Sequence, residues 1–371
     1  MTSPKINETQ QVSPKNTMFI IGMMQIGVGL LSFQRIAALN SAQDAWFPVL
    51  LTGASTLIIM GVIFRLLENE KPYGTQELFS MHKRFFGTIV GNALNVVAIA
   101  YQFMVGLVFL RAYIEIINVW IFPKLSPLAF SFIFSVIIWY LVMGGFRAIT
   151  GIFYLSFIYI LPLNLVDFYL IGDSHLSNLL PMLEHMPYDY LQSFFKMIPC
   201  YLGFETILFY YPFLKRPKEA KQWAMFGLTL TTSVYVTLCI LGTVYFSHGE
   251  LMTQVWPIIS FWKSIHFPLF DRFEYLGMIL WIWALIPSFA LGTWVVSRGI
   301  REITGYIKQK YALIFVFLLN ILFCTIIHNR LQINLILHYL SYVGFGFLYI
   351  YIPFLFFWQW ILKKKRRRKH V

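Results

Sequence analysis

The stretch TMFIIGMMQIGVGLLSFQRIAAL, Thr17 to Leu39, decides the fold. It is apolar over the ~20 residues that a helix needs to cross a bilayer. Gly27-Val28-Gly29 interrupts it near the middle. About half a chain later a second stretch, YLQSFFKMIPCYLGFETILFYYPFL, Tyr190 to Leu214, is broken around Gly203-Phe204-Glu205. Backbone that stops bonding to itself inside hydrocarbon must line a cavity or bind something. Paired breaks at matching places in two halves point to a small-solute site near the bilayer midplane.

Working outward, the 371 residues are 58% hydrophobic and 12% charged, with mean hydropathy +0.67. Soluble domains carry about twice that charge fraction. The expected fold is an all-α membrane protein with ten spans: Thr17–Leu39, Ala45–Leu67, Thr88–Ile121, Pro127–Met143, Ile149–Ile171, Tyr190–Leu214, Gln222–Phe246, Phe273–Val296, Tyr311–Ile327 and Asn334–Leu362. Residues 1–16 form an N-terminal tail, 17–362 one transmembrane domain and 363–371 a basic tail. The tail before the first span is long, polar and weakly charged, which argues against a cleaved signal peptide.

Lysine and arginine placement sets the topology. One set of segments holds Lys5, Lys15, Arg65, Lys71, Lys83, Arg84, Arg147, Lys215, Arg216, Lys218, Lys221, Arg298, Arg301, Lys308, Lys310 and the run Lys363 to Lys369. The opposite face receives Arg35, Arg111, Lys124, Lys196, Lys263, Arg272 and Arg330. Both termini are therefore expected in the cytoplasm. The net charge of +13 reflects topology rather than nucleic-acid binding, since no folded basic domain accompanies it. The terminal basic run either holds anionic headgroups of the bilayer or is a solvated flank. Cys200, Cys239 and Cys324 lie far apart in apolar spans, so neither a metal site nor a disulfide is expected. Trp120, Trp256, Trp262, Trp358 and Trp360 read as interfacial anchors.

The span layout repeats at an offset of about half the chain. Five spans per half invert the second half, so a 5+5 inverted repeat is expected, repeat A over about 17–171 and repeat B over about 190–362. Thr75 to Phe86 and Leu251 to Ile265 read as short amphipathic helices at opposite faces.

Ten spans with broken first and sixth helices resemble the amino acid–polyamine–organocation superfamily and its LeuT-like fold. Within it, MFIIGMMQIGVGLL (Met18–Leu31), FRLLENEKPYGTQELF (Phe64–Phe79) and IPCYLGFETILFYYPFLKRPKEA (Ile198–Ala220) resemble the GerAB-like B subunits of spore nutrient germinant receptors. The resemblance implies residence in the inner membrane of an endospore, a partner A subunit and a lipoprotein C subunit. It also implies a germinant ligand, commonly an amino acid.

Candidate ligand-binding residues follow. Gly27 and Gly29, with Val28 between them, let the first span unwind and turn amides toward a carboxylate; the alternative is close helix packing. Gln25, one turn away, either satisfies freed backbone or touches ligand. Leu202, Gly203 and Phe204 form the second break. Glu205, a carboxylate costing at least ~2.5 kcal/mol at mid-membrane, reads as an ammonium partner, a proton site or a gate. It equally reads as a structural acceptor for the unwound first helix. The resemblance places Tyr101 and Val105 of the third span over the pocket, and Ser288 and Trp283 of the eighth beside it. Pro287 loosens that helix and Ser288 re-satisfies it. Arg111 and Glu115 are expected to pair at i,i+4, and Asp167 to sit as a solvated or paired end charge. The fifth span lacks the lysine common in proton-driven relatives of the superfamily.

No histidine–carboxylate cluster or phosphate-binding glycine loop is present, so no enzyme and no cofactor is expected. The leading reading is a ligand-binding receptor subunit. The alternatives are an autonomous amino-acid permease and a ligand-gated ion or water channel.

Overall fold

A computed structural model describes residues 7–266, 271–327 and 329–367. Every regular element among the described residues is a helix, and one isolated bridge joins Val12 and Leu214. In order it forms α1 (Asn16–Gln25), α2 (Phe33–Ser41), α3 (Trp46–Asn69), α4 (Leu78–Trp120) and α5 (Pro127–Met143). There follow α6 (Gly145–Val166), α7 (Pro187–Met197), α8 (Ile207–Tyr210), α9 (Ala220–Tyr245), α10 (His248–Thr253) and α11 (Pro257–Ser264). The chain closes with α12 (Phe273–Thr304), α13 (Gln309–Ile326), α14 (Arg330–Phe345) and α15 (Ile352–Arg367). Seven helical segments among the described residues are long and apolar enough to cross a membrane, and α5 is a shorter apolar helix. The stretches α1–α2 and α7–α8 are interrupted, as their glycines predict.

α4 turns at Gly87, where φ is 80°. The turn separates the short segment before it from the long apolar helix after it, as the amphipathic Thr75–Phe86 reading anticipates. α14 and α15 are joined by a π-helical turn over Gly346–Tyr351, which the hydropathy pattern does not reveal. The Leu251–Ile265 region forms two short helices, α10 and α11, rather than one.

Hydrocarbon supplies no hydrophobic drive between helices, so packing and interhelical hydrogen bonds carry association. α12 packs against α4 and α6, α3 against α9, and α1 between α9, α6 and α12. Close approach is set by small residues. A Cβ on Gly53 of α3 would lie 2.2 Å from a Thr232 methyl on α9. One on Gly227 of α9 would lie 2.8 Å from the Met18 carbonyl of α1.

The end of the bundle that gathers the N-terminal segment is closed by a polar network. Arg298 of α12 donates to Glu77 at 2.6 Å and to the Phe209 carbonyl at 3.0 Å. Glu70 accepts from Thr75 at 2.6 Å and Gln359 at 2.7 Å, and pairs with Arg84. The Val12 amide donates to the Phe213 carbonyl at 2.9 Å, and the Lys215 amide to the Val12 carbonyl at 3.0 Å. This pins the N-terminal segment across the end of the second broken stretch. Part of the basic tail, residues 368–371, and Lys5 lie outside the described residues.

Several local expectations are corrected. Arg111 and Glu115 attract each other electrostatically, as expected, but their direct contacts lie elsewhere: the Arg111 Nε donates to the Ile327 carbonyl at 2.6 Å, and Glu115 faces Arg330 at 3.9 Å. A neighbouring helix end supplies an acceptor that sequence spacing cannot show. Asp167 is buried, not solvated, and accepts from the Trp262 indole at 2.9 Å. Trp262 is therefore a fully buried packing residue, not an interfacial anchor. The three cysteines are buried and free, as packing side chains.

Candidate functional site: the two helix breaks and the cavities beside them

The first break follows from a lost helical register. The Gly27 amide bonds to the Gln25 carbonyl at 3.1 Å instead of reaching back a full turn, and Val28–Leu31 tighten into 3-10 geometry. Carbonyls of the last turn of α1 are thereby freed and need donors from elsewhere. Ser288 of α12 supplies one, 3.1 Å from the Met23 carbonyl, sharing its proton with the Ala284 carbonyl of its own helix. The Tyr235 hydroxyl of α9 donates to the Gln25 carbonyl at 2.9 Å and also lies 3.1 Å from the Cys200 carbonyl. The Gln25 side chain donates to the Tyr201 carbonyl at 2.9 Å. The first break thus satisfies backbone of the second, while its own freed carbonyls are met by α9 and α12.

The second break turns on Gly203, whose φ of +116° disfavours any side chain. Its amide donates to Glu205 Oε2 at 2.7 Å, and its carbonyl accepts from Thr206 at 2.6 Å. Tyr101 of α4 donates to Glu205 Oε1 at 3.0 Å. The Glu205 carboxylate therefore caps unwound backbone of its own segment, not of the first helix as one reading of the sequence had it. A fully buried carboxylate is tolerable here because both oxygens accept bonds. Tyr101 stacks on Phe347 in the π-helical turn, with ring centroids 4.7 Å apart. The π turn is thus part of the wall behind Glu205.

A small cavity of about 40 Å³ lies where the breaks face α4, α5 and α12. Of the expected site residues, Gly27, Val105, Leu202, Gly203 and Ser288 line it. Gln25, Tyr101, Phe204 and Glu205 are buried behind its wall and hold its shape. Val28 and Gly29 face a different cavity. Trp283 points away, its ring 5.2 Å from that of Tyr159 and its carbonyl accepting from Ser156. The sequence reading missed Met24, Gln102, Gly106, Phe109, Leu110, Phe134, Leu285, Phe289 and Gly292. Two were within reach of it. Gly106 and Gly292 stand one turn beyond Gln102 and Ser288, the polar residues of those helices that face the cavity.

On the side away from the N-terminal segment lies a vestibule of about 330 Å³. It is lined by α2, by the approach to the second break at Pro199 and Cys200, and by α14. Phe109 lines both cavities and separates them. The vestibule halves of the broken stretches are zipped together. Ser193 of α7 donates to the Ala37 carbonyl of α2 at 2.8 Å, Lys196 donates to Asn40 at 3.0 Å, and Asn40 also bonds Gln192. Beyond α2, Asp44 accepts from the Leu183 amide at 2.8 Å and the Tyr190 hydroxyl at 2.9 Å. Among the described residues, no group of three His, Cys, Asp or Glu could hold a metal ion.

Two interrupted helices around a buried cavity, buttressed by long continuous helices, define a class by architecture: the LeuT-like fold. Two solved structures share the architecture. One is MHP1, a nucleobase-cation-symport-1 family transporter, in a closed conformation with bromovinylhydantoin bound (TM-score 0.63, 13% identity, 92% of this chain and 77% of that one). The other is a Na+-coupled sialic acid symporter in a substrate-bound outward-open state (TM-score 0.62, 11% identity, 92% and 80%). Within that class the chain belongs to the spore germination protein family, the spore permeases, whose model matches residues 11–333. It is 33% identical over 338 residues to the spore germination protein GerQB of Bacillus cereus, covering 91% of this chain and 92% of that protein. It is 25% identical over 344 residues to the spore germination protein B2 of Bacillus subtilis (strain 168), covering 90% of each. The chain is a multi-pass, transporter-like germination protein of the membrane and not an enzyme.

Proposed function

We propose that this chain is the germinant-binding B subunit of a spore nutrient receptor, with a small amino acid held in the cavity between the breaks. The carrying observation is that the two unwound segments are tied together beside that cavity. Gln25 of the first donates to the Tyr201 carbonyl of the second, and Tyr235 of α9 bridges the Gln25 and Cys200 carbonyls. In this reading the 5+5 inverted repeat has ten spans, counting the two broken stretches and the short α5. Both termini are cytoplasmic, and the membrane is the spore inner membrane. An A subunit and a lipoprotein C subunit read the state of this one.

The cavity supports a small and mostly apolar ligand. Val105, Leu202 and Phe289 offer apolar contact, while Gly27 and Ser288 leave polar atoms near. At about 40 Å³ it holds a few waters. An amino acid therefore enters with outward displacement of Phe109, the side chain shared with the vestibule. Binding selects that displaced state, and the partners sense the shift as a coupling free energy. The zipped α2–α7 pair is the rigid element through which the shift travels.

The test is uptake of a labelled amino-acid panel into liposomes holding the protein alone, beside equilibrium binding on the same sample. Saturable binding without turnover is the expected result. Saturable uptake would make the chain an autonomous permease, and an absence of binding by any member would remove the amino-acid ligand.

A further inference from the structure

The vestibule is larger than the central cavity and differs from it in charge. Three cationic side chains line it, Arg35, Lys196 and Arg330, against one carboxylate, Glu115. Glu115 meets Arg330 at 3.9 Å. Among the described residues Lys196 donates to the neutral Asn40 amide oxygen and enters no ion pair. Arg35 enters no ion pair among the described residues, and its Nε is buried without an acceptor. A guanidinium donor withdrawn from water and left unpaired costs more than a satisfied one. A ligand oxygen at this point relieves that cost. Arg330 also lies over the Trp256 ring, 5.0 Å from its centroid, which fixes the guanidinium at the cavity wall.

The floor of the same cavity is made by the hinges. Val28 and Gly29 come from the first break, Pro199 and Cys200 from the approach to the second. The two meet closely: a Cβ on Gly29 would lie 3.2 Å from Cys200 Sγ. A group bound to Arg35 on α2 and Lys196 on α7 therefore rests on both broken stretches at once, above Phe109.

We infer that the vestibule is a second ligand site, distinct from the central cavity, that accepts an anionic carboxylate or phosphate group and braces the two breaks against opening. The chemistry is common to a free organic acid and to the headgroup of an anionic lipid. The site stands whether or not the central cavity takes a germinant.

The test measures labelled succinate binding to the full chain in phosphatidylcholine nanodiscs, repeated with phosphatidylglycerol added. Native mass spectrometry runs in parallel to detect retained lipid. A free-acid site shows saturable succinate binding that weakens with salt and is not shared by neutral succinamide. A headgroup site shows phosphatidylglycerol retained and succinate excluded. In either case the double variant Arg35→Gln/Arg330→Gln loses about tenfold or more in affinity, and Lys196→Gln loses about two- to fivefold. Glu115→Gln tightens binding, a gain that misfolding cannot mimic. The inference is overturned if neither succinate nor phosphatidylglycerol binds. It is also overturned if the arginine variants bind as the wild type does.

Discussion

The two breaks look alike in sequence and are built differently. At Gly27 an added Cβ would meet nothing within 4 Å, because the position faces the central cavity. At Gly203 φ is +116°, and an added Cβ would lie 2.9 Å from Met24 Cβ and 3.0 Å from the Met24 carbonyl. The first glycine leaves room, whereas the second is required by the backbone and by contact with the other break. Glycine in a broken membrane helix thus serves two purposes, and only tertiary contact tells them apart.

The sharpest way to break this comparison is Gly203→Ala. Backbone strain and the Met24 contact together should cost about 1–3 kcal/mol or more, read as a lower melting temperature in detergent. An unchanged melting temperature would mean that the second break is as open as the first. Gly27→Leu comes next. It should leave folding intact yet fill the central cavity and weaken amino-acid binding more than tenfold. Equal loss of folded protein in both variants would erase the distinction.

Glu205→Gln should have a smaller effect. The amide oxygen still accepts from Gly203, and the amide nitrogen can donate to Tyr101 if that hydroxyl reverses. A loss of about 1 kcal/mol is expected, and adding Tyr101→Phe should raise it. If Glu205→Gln alone abolishes ligand response in a folded protein, the carboxylate acts on the ligand or a proton rather than as a backbone cap. Gly27→Ala should be the mildest substitution, within about 0.5 kcal/mol of wild type.

The last prediction concerns the Asp44 staple that joins the vestibule ends of the broken stretches. Burial alone would raise the Asp44 carboxyl. The Leu183 amide, His185, Tyr190 and the Glu184 amide outweigh it and hold the group below its usual value. A depressed carboxyl contributes stability above the ordinary aspartate value of about 3.9 and loses it as pH falls through the folded value. Hydrogen exchange over residues 180–190 should therefore stay slow from neutral pH down to about 4 and quicken below, once corrected for intrinsic rates. Asp44→Asn should remove that step. A step that persists unchanged in Asp44→Asn would take the staple away from this carboxyl.

Much of the architecture is legible along the chain because hydrocarbon forbids unsatisfied backbone. Glycines inside an apolar run announce a break, and Gly87 and Gly203 fall where the hydropathy pattern bends. The buried positions of Glu205 and Gln25 were equally visible, since polar residues at mid-membrane must face protein. Their partners were not. Glu205 bonds Gly203 and Tyr101, and Gln25 bonds Tyr201, through contacts between segments that spacing does not encode. The far wall of the cavity was hidden for another reason. α4 and α12 are apolar on nearly every side, so no amphipathic stripe marks which face turns inward. Phe109 and Phe289 are therefore indistinguishable in sequence from lipid-facing phenylalanines, and Trp283 was easily placed on the wrong side.

Sequence by itself determined that this chain lives in a membrane and that two of its apolar stretches fail midway. Each of those is a local consequence of composition and of backbone hydrogen bonds that must be closed within hydrocarbon. Tertiary structure alone decided which break is open and which is tight, and that the Arg111 Nε reaches the Ile327 carbonyl. It also decided that cationic side chains from α2, α7 and α14 converge on one vestibule. Those outcomes depend on the rotation and approach of helices far apart in the chain, set by packing rather than by any local rule.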